Sequence, residues 1–278
     1  MVEILTVMKW PLIACLLLPG ILVYYGLHIV RREIIFVDLA LAQVAALGVC
    51  VAILLKHDAH DWQTYGWSFG FTLAGAAVFT LTRQHDRHVP QEALIGIVYV
   101  VAAALGILLL NQSPHGNEEL KEMLVGDLLL VQKPAEVFKP FALYLAIGAV
   151  HYVFRRQFLL ISFEPERAVA EGISLRGWDF LFYALLGLVV TSFVHIGGVL
   201  MIFSYLIVPA VCANFLVESL AARLVIGLLT STLASVAGLY ASFRFNWPTG
   251  AAIICALGAA LLLTATAVRF RKRKEPGR

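Results

Sequence analysis

Charge is scarce in this chain: 14% of its 278 residues are Asp, Glu, Lys or Arg, against 60% apolar, and the mean hydropathy is +0.85. No soluble globular domain is built with so little polar surface, and no nucleic-acid partner is expected. Clustered cysteine is missing too. Cys15, Cys50, Cys212 and Cys255 stand singly in apolar runs with no CxxC or CxH spacing, which reads as small hydrophobes. There is no GxxxxGK[ST], so the chain does not cradle a nucleotide in that way and energy for any work comes from elsewhere. GxSxG, HExxH and paired membrane aspartates are equally missing, so an intramembrane protease or hydrolase has little support and no cofactor is expected.

What fills the chain is apolar runs of membrane-spanning length. They fall at Trp10–Val30, Ile34–Leu55, Trp67–Thr82, Glu92–Leu110, Phe138–Phe154, Trp178–His195, Gly197–Val217, Ala222–Phe243 and Thr249–Phe270. A hydrocarbon core about 30 Å thick needs about 20 such residues, so the short third and fifth leave the count at eight or nine. The expectation is an all-α polytopic helix bundle in the plasma membrane. Residues 1–278 form one transmembrane domain, with about 270–278 as a basic cytoplasmic tail. Residues 1–30 lack an A-x-A cleavage site and lead directly into further spans, so they count as the first span and not as a leader. With the tail inside and spans alternating, fifteen of the 21 Lys and Arg face the cytoplasm, which puts the N-terminus outside if nine spans are right.

Two loops stand out. In the outer one, between Asn111 and Lys139, Leu120, Met123, Leu124 and Leu128 recur at helical spacing and predict an amphipathic interfacial helix. The inner stretch Ser162–Gly177 mixes acids, arginines and alanines. It predicts either a short helix open to a soluble partner or an ordinary solvated loop. Small residues such as Ala42, Ala46, Gly197, Gly198 and Gly258 permit close helix packing, and Pro209 and Pro248 are expected to kink or start helices.

Polar groups inside the spans are few. In the second run, Asp38 lies close to the inner end, whereas Gln43 lies about 16 Å beyond Arg32, near the midplane, where a polar side chain is a functional candidate. His28, His151 and His195 are isolated near span ends and read as satisfied interfacial histidines. Outside, His57, Asp58, His60 and Asp61 crowd into six residues, with His115 on another outer loop. Imidazole and carboxylate there would recruit cations, although any solvated turn has this composition. His85, Asp86 and His88 form a similar group inside.

The sequence resembles the ABC-3 family of membrane permeases, integral subunits of ATP-binding-cassette importers for zinc, manganese and iron. The resemblance rests on RREIIFVDLALAQVAALG (Arg31–Gly48), EALIGIVYVVAAALGILLL (Glu92–Leu110), FEPERAVAEGISLRGWD (Phe163–Asp179), GGVLMIFSYLIVPAVCAN (Gly197–Asn214) and GLYASFRFNWPTGAA (Gly238–Ala252). It implies a transport subunit, not an enzyme, that depends on a separate cytoplasmic ATPase. It also implies an extracytoplasmic metal-binding protein and a second permease subunit, identical or not. The ATPase would dock on Glu164–Gly172, with Glu164, Pro165, Glu166, Ala168, Ala170 and Gly172 as coupling residues.

The chain departs from that family where the metal is expected. Typical members carry aspartate and histidine four residues apart on one helix face; here one register puts Leu39 and Gln43 at those positions and the other Asp38 and Ala42, and either loses a strong ligand. Asp38 is turned about 140° from Gln43 and does not simply replace the lost carboxylate. The candidate pathway residues are therefore Gln43, Asp38 and Leu39. A different cargo, and a non-transporting scaffold or intramembrane enzyme, stand as the alternatives.

Overall fold

The structure, a computed structural model, describes residues 2–57, 61–82, 90–111, 124, 126 and 128–274. Among them there is no strand. The helices are α1 (Val2–Leu17), α2 (Pro19–Arg32), α3 (Val37–Leu54), α4 (Trp62–Leu81), α5 (Gln91–Leu110), α6 (Pro134–Val153), α7 (Arg155–Phe163), α8 (Pro165–Ala170), α9 (Leu175–Leu216), α10 (Leu220–Phe245) and α11 (Thr249–Lys274), with a 3₁₀ turn at Leu128–Leu130. By length and composition, seven helical segments of the described residues can cross a membrane, and eight if the bent pair α6 and α7 counts as one. α1 and α2 run together as one of them, Met8–Arg32. α4 is 20 residues long but carries Gln63, Thr64, Ser68, Thr72 and Thr80, which lower its hydropathy.

In lipid, tails are as apolar as leucine, so helices associate by close packing and not by the hydrophobic effect. Glycine makes that approach possible. A methyl at Gly48 would come within 2.7 Å of the Ser68 Cα, so α3 and α4 meet backbone to backbone; one at Gly26 would overlap the Leu206 carbonyl where α2 crosses α9. α3 is sandwiched between α4, α5 and α9. Small hydroxyls fasten the same contacts: Thr72 and Thr191 lie 3.1 Å apart between α4 and α9, and Tyr205 and Ser235 2.6 Å apart between α9 and α10.

Pro209, expected to kink its helix, sits in a continuing one, and α9 breaks where the runs Trp178–His195 and Gly197–Val217 part, at Gly198, whose φ of 71° and ψ of 167° suit a residue without Cβ. Gly126 packs directly on the Gly197–Gly198 backbone there, closing the loop over the break. α6 and α7 meet at 78°, so α7 leaves the bundle axis and leads into α8. The proposed amphipathic helix of the outer loop lies mostly outside the described residues; Leu124 is helical and Leu128 begins the 3₁₀ turn.

Arg32 Nη1 donates to Asp179 Oδ1 at 2.9 Å, and Glu92 Oε1 accepts from the Phe36 N–H at 3.1 Å. The end of α2 and the starts of α3, α5 and α9 therefore share one end of the bundle. Glu92 caps α3 from α5, meeting a free N–H and the positive end of the helix dipole. Arg31, Arg32, Arg156, Arg167, Arg176 and Arg223 gather at this end, which makes it cytoplasmic in a multi-pass membrane protein.

Candidate functional site

α3 is buried along most of its surface. Gln43 is itself buried, at 7% exposed beside Val44 at 8%, and lies between the half-buried Leu39 and Leu47, four residues to either side. Asp38, on the other side of the helix, is fully buried, and both carboxylate oxygens lack a hydrogen-bond partner. The two polar residues of this helix thus face different surroundings, as a turn of 100° per residue requires. Among the described residues, no three His, Cys, Asp or Glu side chains are grouped closely enough to hold a metal.

The inner polar stretch forms a platform. α8 spans Pro165–Ala170, beginning at a proline whose missing N–H costs nothing in a first turn, and Gly172 at φ 75° follows its end. Ala168 is fully buried against Leu160 and Ile161 of α7, whereas Glu164, Pro165, Glu166, Ala170 and Gly172 are exposed. Arg167 bonds Glu164 and Glu171, each at 3.0 Å, and these carboxylates, Glu164 first, hold its guanidinium above the ordinary pKa. A cleft of about 460 Å³ opens beside it, lined by Arg156, Phe163, Glu164, Arg167, Glu218 and Arg223.

Sequence reasoning missed a buried polar network directly behind that platform. Tyr24 and Tyr25 hydroxyls lie 3.1 and 2.8 Å from His151 Nδ1 and Nε2, so a neutral ring donates to one and accepts from the other. Arg32 Nε–H donates to Ser162 Oγ at 2.7 Å, which leaves the hydroxyl proton for His28 Nδ1, also at 2.7 Å. Arg32 then reaches Asp179, with side chains 6% and 0% exposed. His28 and His151, isolated in sequence, have ring centroids 6.4 Å apart. The available signal was the pair Arg31 and Arg32 beside a run of aromatics, but two adjacent arginines also mark any inner span end.

A model of the ABC 3 transport family matches residues 5–269 of this chain. The chain belongs to that family. Its relatives include the manganese transport system membrane protein MntC of Listeria innocua serovar 6a, 27% identical over 74% of each chain. Another is the manganese import system permease protein ScaB of Streptococcus gordonii, 25% identical over 90% of this chain and 88% of that one. The solved structure of PsaBC from Streptococcus pneumoniae in complex with Fab has the same fold. Its TM-score is 0.79 at 24% identity, over 97% of this chain and 95% of that one.

Within this ABC-3 chain the outer cation cluster is only partly visible. Asp58 and His60 lie outside the described residues, as do His115, His85, Asp86 and His88. His57 lines an outer cleft of about 680 Å³ whose other walls are Trp62, Gln63, Gly66, Trp67, Gly70, Phe71 and Ala74 of α4. The described part of that cleft is mostly aromatic and apolar, with one imidazole and one amide, Gln63.

Proposed function

We propose that this chain is the membrane permease subunit of an ATP-binding-cassette importer for a divalent transition metal, manganese before zinc or iron. A cytoplasmic ATPase docks on Glu164–Gly172, an extracytoplasmic binding protein delivers the metal, and a second permease subunit faces the Leu39–Gln43–Leu47 stripe to complete the pathway. The family match over residues 5–269, with relatives named for manganese transport, carries the reading. The chemistry agrees. Gln43 offers a hard amide oxygen, which suits manganese better than zinc, whose preference is for imidazole and thiolate. In this reading metal meets few ligands in the membrane, and selection rests with the binding protein. His57, Asp58, His60 and Asp61 would concentrate cations at the outer mouth.

Reconstitution of the permease with its ATPase and binding protein tests this. ATP hydrolysis and uptake are expected to respond to manganese most strongly across a metal panel; no response to any metal would overturn it. A second reading, a different cargo, draws on the loss of the family's Asp/His pair at Leu39 and Gln43. Metal-independent stimulation by another solute would favour it. Asp38 joins the pathway only if α3 rotates during the cycle.

A further inference from the structure

The platform formed by α7 and α8 is one rigid piece. Ala168 of α8 is fully buried against Leu160 and Ile161, and Arg156 of α7 pairs with Glu171, just past α8, at 2.7 Å. Two sets of polar contacts key this piece into α2. At one, His151 stacks on Phe158 of α7 with centroids 4.0 Å apart while bonding Tyr24 and Tyr25. At the other, Ser162, near the end of α7, holds both His28 and Arg32 at 2.7 Å.

Arg32 goes further than α2. Its Nη1 bonds Asp179 of α9 at 2.9 Å, and its guanidinium lies 3.9 Å from the centroid of the Phe182 ring. Opening such a pair away from water strands a charge, so the joint stays closed while the elements it joins move together. Beyond Arg32 the chain turns sharply through Glu33, at φ 58°, and enters α3 at Val37. The helix bearing Gln43 therefore begins at the joint. Displacement of a rigid, packed chain of this kind has little room to dissipate.

We propose that Arg32, Ser162 and Asp179 are positioning residues of the transport cycle: they form the joint through which movement of the α7–α8 platform reaches α2, α3 and α9. This rests on the reading that an ATPase docks on α8. Loss of the joint leaves docking and ATP hydrolysis in place and removes the transport that hydrolysis should drive.

The test uses the reconstituted complex and reads manganese uptake per ATP hydrolysed. Ser162→Ala removes the hydroxyl that His28 and Arg32 share and leaves the Arg32–Asp179 pair in place. This variant is expected to keep its thermal unfolding temperature near native and its ATPase intact, and to lose about tenfold in uptake per ATP, within the range of coupling between sites. Ser162→Thr, which restores a hydroxyl, should recover uptake per ATP severalfold. Asp179→Asn should uncouple as well, with partial recovery in Asp179→Glu. Uptake per ATP that stays at the native level in Ser162→Ala, or in folded Asp179→Asn, overturns the proposal. Copurification of ATPase with Gly172→Glu at the native level would instead sink the docking reading, and that shows in copurification, not in uptake per ATP.

Discussion

Around Arg32, seven polar side chains from α2, α6, α7 and α9 form two adjacent hydrogen-bonded groups inside the bundle, Tyr24, Tyr25 and His151 in one and His28, Arg32, Ser162 and Asp179 in the other. Along α3, a single amide, Gln43, stands between the half-buried Leu39 and Leu47. Polar groups in a membrane are costly wherever they lie, so their placement records where the structure needs them. Here they are concentrated beside the α7–α8 platform and thin along the proposed pathway. A cargo that must pass and leave is served by weak ligands, whereas a joint that must transmit force is served by strong, fully desolvated ones.

The sharpest way to break that contrast is to strand a charge at the joint. Asp179→Leu leaves the Arg32 guanidinium buried without its carboxylate, and loss of one partner of a buried pair costs about 3–5 kcal/mol. A steep fall in thermal unfolding temperature in detergent is expected. Arg32→Met combined with Asp179→Leu should recover much of it, since an apolar pair strands nothing. Equal destabilisation by the single and double variants would mean that the ion pair is not what sets the cost.

The second set of contacts is next in size. His151→Phe keeps the stack on Phe158 but removes both acceptor and donor for Tyr24 and Tyr25, of which Tyr25 is fully buried. An unsatisfied buried hydroxyl costs about 1–3 kcal/mol. Tyr25→Phe added to His151→Phe should give back part of that loss, a non-additivity that thermal unfolding measures in a four-variant cycle.

At the platform, the expected effect moves from stability to association. Gly172 is exposed at a φ of 75°, where a side chain adds strain of about 1–2 kcal/mol. Gly172→Glu also places a charge on the proposed docking face, and ATPase copurification is expected to fail while the permease itself remains folded. Ala168→Glu should give the same loss with more damage, because Ala168 is buried against α7. Native copurification from both would remove the platform from the contact.

The two regions also differ in how far their sequence disclosed them. Span positions follow from hydropathy alone, and the run Glu92–Leu110 agrees with α5 to within one residue. The run Trp67–Thr82 missed the first turn of α4, which starts at Trp62, because Gln63 and Thr64 are polar in sequence, yet Thr64 is buried; within the run, Ser68 and Thr72 bond to the Ala45 and Ser68 carbonyls. The opposed faces of Asp38 and Gln43 follow from helical arithmetic, which local sequence contains. The joint does not: Tyr25 and His151 are 126 residues apart and Arg32 and Asp179 are 147 apart, so only tertiary packing brings them together. The division of α9 was legible, since the runs Trp178–His195 and Gly197–Val217 part beside Gly198. The left-handed φ of Gly198 itself was not, because it goes with what packs against it, here Gly126.

The smallest structural effect, and the most direct probe of the thin side of the contrast, is expected at Gln43. Gln43→Leu keeps the side chain's approximate volume and should change stability by about 1 kcal/mol, the net worth of an ordinary hydrogen bond. If its amide oxygen meets the cargo, uptake per folded molecule changes at normal expression. If it only bonds a neighbouring helix, unfolding temperature falls and uptake per folded molecule does not. Leu39→Asp with Gln43→His restores the family's aspartate and histidine four residues apart on one face of α3, so both ligands face the same way. Borderline cations bind imidazole and carboxylate far better than an amide, so the double variant should retain zinc or manganese through purification where the native chain holds none. Tighter holding should also slow uptake, since a site that must release its cargo loses by binding it well. Absence of retained metal in the double variant, together with unchanged uptake in Gln43→Leu, would take the pathway off this face of α3.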